Sequence, residues 1–286
     1  MTTASLPARR PRWRSAFVLH DWGGRVGAVL LFAVVGVAIL GPAFAPHPST
    51  ATIGIPGVGP GPGYPLGLDF LGRDVLSRTL DGGRSTLLLG GSATLLTYIV
   101  GTNVGLAAGH KPSWIDPLLM RSVDVVLSFP ALLIMLLAVT AFGGSPFVLV
   151  CATALVLFPG VARIVRTATA EVATRAYVEA AVVRGERSFA IIRREILPNV
   201  AGPIIADLGI RFSWSIILIA SVNYLGLGLK PPTADWGLMV SENRSIISSN
   251  PWAVMAPALM LALLIVAVNL VGDAYVRQLG HSRGTP

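Results

Sequence analysis

Long apolar runs separated by short polar and basic segments organise this chain. Six of them, near Val26–Phe44, Leu87–Ala108, Val125–Phe142, Phe147–Val165, Val200–Leu229 and Trp252–Gly272, approach the roughly 20 residues of helix needed to cross a hydrocarbon core. The pattern predicts an all-α, polytopic membrane protein with about six transmembrane helices. The first run follows basic residues and ends near Ala43-Phe44-Ala45, as a cleaved leader does. Its apolar stretch is longer than the roughly 7–15 residues of a signal core, and Pro46 follows the scissile position, so a retained helix is expected.

The expected organisation is a cytoplasmic tail over 1–25, a first transmembrane helix over 26–44 and an extracytoplasmic segment over 45–86. A core over 87–273 then holds five more helices and a cytoplasmic loop at about 166–199, and a cytoplasmic tail covers 274–286. The outer segment is rich in Pro and Gly from Pro56 to Pro65 and is expected to hold no folded domain. Pro130 and Pro159-Gly160 are positions where helices kink.

Composition supports a lipid-facing surface. The chain of 286 residues is 53% hydrophobic and 13% charged, against about 25% charged residues in a soluble domain. The net charge of +8 does not imply nucleic acid, because the basic residues lie between apolar runs, where they set membrane orientation. Sixteen of the 22 fall on the side that carries the N-terminus and five on the other, with Arg211 inside a span. Both termini are therefore expected in the cytoplasm, in a multi-pass protein with lipid around it. The single cysteine, Cys151, allows no intrachain disulfide.

Several chemistries lack their residues. The only lysines, Lys111 and Lys230, precede prolines and do not complete a G-x-x-x-x-G-K-[ST] phosphate loop. His20, His47, His110 and His281 are scattered without metal-ligand spacing, and no G-x-S-x-G elbow occurs. No catalytic residue, metal site or cofactor of its own is expected, and energy, where consumed, comes from a partner.

The segment between the fourth and fifth runs is the most informative. From Ala176 to Asn199 it reads as two short helices broken at Gly185, which supplies the positive φ that ends a helix. Ser188 is placed to cap the second helix, Phe189, Ile192 and Ile196 give it one apolar face, and Pro198 is placed to stop it. Ala180 and Ala181 keep the first helix low enough for close approach by another backbone. Pattern alone leaves two readings open, a solvated connector and a docking element for a soluble partner.

This segment resembles the EAA loop of bacterial ABC-importer permeases: Glu-Ala-Ala, three residues, Gly, nine residues, then Ile-x-Leu-Pro. Glu179, Ala180, Ala181, Gly185, Leu197 and Pro198 match, while Glu195 occupies the Ile position beside Ile196. The ending Ile196-Leu197-Pro198-Asn199 is similar to the dipeptide/oligopeptide/nickel branch, and to the C-type permease of its pair. Three further segments resemble that branch: Pro65 to Arg78, Leu225 to Gly237, and Asn269-Leu270-Val271-Gly272-Asp273.

The resemblance implies a type I ABC-importer permease fold with cytoplasmic coupling helices, in a bacterial cytoplasmic membrane. It implies a second, homologous permease subunit as partner in a heterodimer, two ATP-binding subunits or one fused ATPase carrying ATP and Mg, and an extracytoplasmic substrate-binding protein. The substrate implied is a di- or oligopeptide, with nickel or another small solute as the alternative. By the same resemblance Tyr177, Glu179, Ala180, Ala181, Gly185, Ile196, Leu197 and Pro198 form the ATPase-coupling element. Glu179 would make the polar docking contact, and Gly185 would set the angle between the helices.

Within the spans, Gly101, Gly105 and Gly109 recur every four residues and share a face, suited to packing within the chain or between subunits. Asp207 and Arg211 are four apart and can pair, either lining a path or bolting the fifth span to a neighbour. A proton-coupled secondary transporter is the competing class, and it needs an intramembrane carboxylate relay for which Asp207 alone is thin.

Overall fold

The computed structural model describes residues 22–110 and 114–281. The basic residues before position 22, Lys111 and Arg283 lie outside the described residues. The helices are α1 (Trp22–Leu40), α2 (Val75–Gly109), α3 (Ile115–Leu127), α4 (Ala131–Phe142) and α5 (Pro146–Ala173). There follow α6 (Ala176–Val183), α7 (Ser188–Ile191), α8 (Leu197–Tyr224), α9 (Trp236–Asn243) and α10 (Trp252–His281). Among the described residues five helical runs are long and apolar enough to cross a membrane, or six when the bent pair α3–α4 counts as one span.

Three of the departures from the hydropathy reading have a local reason. The second span begins at Val75 rather than Leu87, because Asp74 caps it by accepting from the backbone N–H groups of Leu76 and Ser77. The third run is not one helix: α3 and α4 meet at 83° across Ser128-Phe129-Pro130. Pro130 brings no backbone donor and pushes Phe129 out of helical geometry, so the chain turns there. Pro159, by contrast, lies inside an uninterrupted α5.

The fifth run starts far earlier than Val200. A π turn at Ile192–Ile196 joins α7 to α8, making one helical rod of 37 residues from Ser188 to Tyr224. Pro198 therefore does not stop the helix. It occupies the first turn of α8 directly after the wide turn, which accommodates the ring.

The segment over 45–74 is ordered. Backbone bonds Leu68 N–H to Val58 C=O (2.8 Å) and Asp69 N–H to Arg73 C=O (2.8 Å) fold it back on itself. Gly67, at φ +74°, packs so closely that a Cβ would meet the Val58 carbonyl. A buried ion cluster fastens this segment to α9. Arg73 Nη2 and Arg78 Nη2 donate to Glu242 Oε2 at 3.1 and 2.9 Å, and Arg73 Nε donates to Asp69 Oδ2 at 2.6 Å. Burial pushes the Glu242 carboxyl up, opposed by the two guanidinium groups.

Three apolar clusters hold the bundle. One joins α4, α5 and α8 through Met135, Leu149, Leu157 and Val222; another joins α1, α9 and α10 through Ala38, Trp236 and Leu264. The third carries the 174–199 segment on α2 and α5, through Leu106, Val161, Val165, Val178, Ala181, Ile191, Ile196 and Val200. Outward-facing Phe32, Leu88, Leu137 and Phe142 are exposed, as lipid-facing side chains are. The first apolar run is part of the bundle: α1 lies along α10 so closely that a Cβ on Gly27 would meet Leu270.

Candidate functional site

The segment between α5 and the long rod is a hairpin, anchored through Val178, Ala181 and Ile191 and exposed around its turn. Gly185 sits at φ +76°, with its N–H on the Val182 carbonyl and the Glu186 N–H on the Ala181 carbonyl. This paired bonding closes α6 in the manner that glycine permits. Ser188 does not cap the second helix: Arg187 precedes the first turn without a side-chain cap bond, and Ser188 is the first helical residue.

The buried and exposed faces differ from those read in the sequence. Val178 and Ala181 are fully buried against the spans, so Ala181 approaches the chain's own helices. Tyr177, Glu179 and Ala180 face outward. In the second helix the buried residues are Ile191 and Ile196, whereas Phe189 is 74% exposed. The π turn explains this. It inserts a residue, so positions five apart (Ile191, Ile196) share the inner face and Phe189 rotates out. Leu197 is half-buried and Pro198 exposed. Val183, missed by the sequence reading, is 87% exposed, as Phe189 and Tyr177 are also exposed. No sequence signal separates it from the buried valine at 178.

Charged pairs tie the neighbouring helices at this end. Arg166 of α5 grips Asp116 of α3 with two bonds of 2.6 Å, and Arg163 pairs with Asp124. Deeper in the bundle, Arg211 Nε donates to Asp207 Oδ2 at 2.9 Å, and the same oxygen accepts from Tyr98 Oη at 3.0 Å. The Arg211 guanidinium covers Gly160 of α5, where a Cβ would lie 2.6 Å from both terminal nitrogens. Tyr98 was not singled out in the sequence, because a lone tyrosine in an apolar run carries no pattern.

The glycine row of α2 faces α5. A Cβ at Gly101, Gly105 or Gly109 would lie 2.6–2.7 Å from Val161, Val165 or the Arg166 carbonyl respectively. Among the described residues no group of three His, Cys, Asp or Glu side chains is placed to hold a metal ion.

Residues 101–282 match the family described as "Binding-protein-dependent transport system inner membrane component". Among curated relatives, "Dipeptide transport system permease protein DppC" of Alkalihalophilus pseudofirmus is 32% identical over 91% of this chain and 87% of its own length. "Di/tripeptide transport system permease protein DppC" of Pseudomonas aeruginosa is 38% identical over 73% of this chain and 69% of its own. "Glutathione transport system permease protein GsiD" of Pectobacterium atrosepticum is 37% identical over 75% and 71%. A chain from inward-facing structures of the MetNI methionine ABC transporter shares the fold, with a TM-score of 0.58 and 18% identity over 70% of this chain and 95% of that one.

The chain belongs to the family of binding-protein-dependent ABC-importer permeases. It is accordingly a multi-pass inner membrane component, a transport subunit rather than an enzyme. Family membership implies an ATPase and a binding protein as partners, and sets aside the secondary transporter.

Proposed function

We propose that this permease is half of a peptide translocation path, and that the hairpin over 174–199 is its seat on the ATPase. The carrying observation is that the hairpin leaves apolar side chains exposed, Tyr177, Val183 and Phe189, while its inner face is packed into the spans. Large apolar side chains concentrated on one short segment outside the spans favour a contact surface, and the family's ATPase partner is the contact available there. Glu179, also exposed, is its polar contact. Ala180 belongs to the docking face and Ala181 to the anchor beneath it.

In this reading the second permease is a homologous chain, and Gly101, Gly105 and Gly109 serve packing within this one. The ATPases, as two chains or one, carry ATP and Mg. The binding protein delivers cargo at the opposite end, where the 45–74 segment and α9 lie. The excess of basic residues on the hairpin side supports a cytoplasmic hairpin with both termini on that side. The substrate class follows the relatives, whose names specify dipeptides, di/tripeptides and glutathione, itself a small peptide.

The test is uptake of radiolabelled dipeptide by the assembled complex in proteoliposomes. Gly185→Val forces a β-branched residue into the left-handed region, and Glu179→Lys reverses the docking charge. Both are expected to abolish ATP-driven uptake while leaving membrane insertion intact. Normal uptake by either variant refutes the assignment.

A further inference from the structure

The hairpin is connected to the membrane by two rods. Only Thr174 and Arg175 separate α5 from α6, and the other end continues without a break from Ser188 to Tyr224. Any displacement of the hairpin therefore enters the bundle along α5 and α8 together. Whether both rods move as one body depends on what links them beyond the hairpin.

The link is the charged cluster around Arg211. Its guanidinium lies flat on Gly160 of α5, the position at which any side chain would displace it. Its Nε is held by Asp207 one turn back on α8, and Tyr98 of α2 donates to that same carboxylate oxygen. Two spans, α2 and α8, thus meet at one carboxylate, and α5 meets the guanidinium that this carboxylate holds. The Arg211 and Asp207 side chains are only 19% and 12% exposed. A charge pair inside spans is costly and persists where protein groups surround it. Neutral packing would hold α5 and α8 together as well. What the cluster adds is a fixed contact: the pair within α8 holds the guanidinium in one orientation over Gly160 of α5, and the Tyr98 bond ties α8 to α2, so sliding of α8 must break that bond or lift the guanidinium out of the glycine notch.

We infer that Tyr98, Asp207 and Arg211, with Gly160 as the receiving surface, form a rigid joint that makes the hairpin, α5 and α8 move as a unit. They are positioning residues for transport, acting through the helices and not through the cargo. This inference rests on the coupling role proposed for the hairpin.

The test uses the complete importer in proteoliposomes with its binding protein and radiolabelled dialanine. Three variants dissect the joint: Arg211→Met removes the charge, Gly160→Ala pushes the guanidinium off α5, and Tyr98→Phe removes only the α2 bond. Dipeptide moved per ATP hydrolysed is expected to fall about tenfold in Arg211→Met and less in the others, the scale of ordinary coupling free energies. In parallel, spin labels at Thr167→Cys on α5 and Tyr224→Cys at the far end of α8, both exposed, with Cys151→Ser, report the distance between the two rods. In the otherwise wild-type complex this distance stays constant when ATP binds; with Arg211→Met it shifts. An unchanged distance in Arg211→Met overturns the joint, and so does a coupling ratio within about twofold of wild type. Loss of uptake in that variant with an unchanged distance also overturns it, and assigns Arg211 to the cargo path. Failure of all three variants to assemble reduces the cluster to a folding role and overturns it as well. If the unmodified complex shows no ATP-dependent uptake, the underlying reading of the hairpin fails instead.

Discussion

Glu242→Gln tests the buried ion cluster that fastens the 45–74 segment. The native carboxylate accepts from Arg73 at 3.1 Å and Arg78 at 2.9 Å, with side-chain exposures of 5%, 3% and 0% for Glu242, Arg73 and Arg78. Gln keeps the shape and one acceptor but removes the charge. Two guanidinium groups are then left to share Asp69, which Arg73 already engages at 2.6 Å and Arg78 approaches at 3.3 Å. Removing one partner from a buried pair costs about 3–5 kcal/mol, because the remaining charge keeps its desolvation penalty. With about 1.4 kcal/mol per tenfold, local opening should become some hundred- to several-thousand-fold more frequent. Hydrogen exchange at the Leu68 and Asp69 amides, bonded to the Val58 and Arg73 carbonyls, reads this directly. Replacing Arg78 and Glu242 together by Met and Leu should restore much of the protection, since a well-packed apolar pair lacks the stranded charge. Exchange in Glu242→Gln within about threefold of wild type would refute the reasoning.

Two further outcomes follow. Gly105→Val introduces a side chain where a Cβ already falls 2.6 Å from Val165 and 2.7 Å from the Ala162 carbonyl. Backbone cannot yield as a side chain does, so α2 and α5 must separate, at a cost of about 1–3 kcal/mol or more, visible as a lower melting temperature on fluorescence-detected gel filtration. Phe189→Asp places a charge on the exposed surface of the hairpin and not in the core, and should abolish co-purification with the ATPase while leaving the melting temperature of the isolated permease unchanged.

What the sequence revealed, and what it hid, follows from the range of the interactions. Apolar runs and the helix-ending Gly185 are local signals: each run is found in helix and Gly185 at positive φ, although several helix ends lie well away from where the pattern put them. The faces of the second hairpin helix were misassigned because spacing rules assume 3.6 residues per turn, and the π turn at Ile192–Ile196 breaks that assumption. Pro198 looked like a stop for the same reason: the wide turn that tolerates it has no sequence signature. The outer segment was expected to hold no folded domain, from its Pro and Gly content. Its order depends on Glu242, more than 160 residues away from Arg73 and Arg78, and no short-range pattern reports such a partner. Tyr98 was invisible likewise, since Asp207 and Arg211 explain each other at four residues' spacing and leave no sign of a third member.

The central claim concerns where the hairpin sits and what it touches, and thiol chemistry at Val183 addresses both. In a Cys151→Ser background, Val183→Cys should form a disulfide with a cysteine placed in the surface groove of the ATPase, and should resist membrane-impermeant thiol reagents added outside intact cells. Labelling from outside, or an assembled and active complex that yields no cross-link to the ATPase from any groove position, would contradict the account.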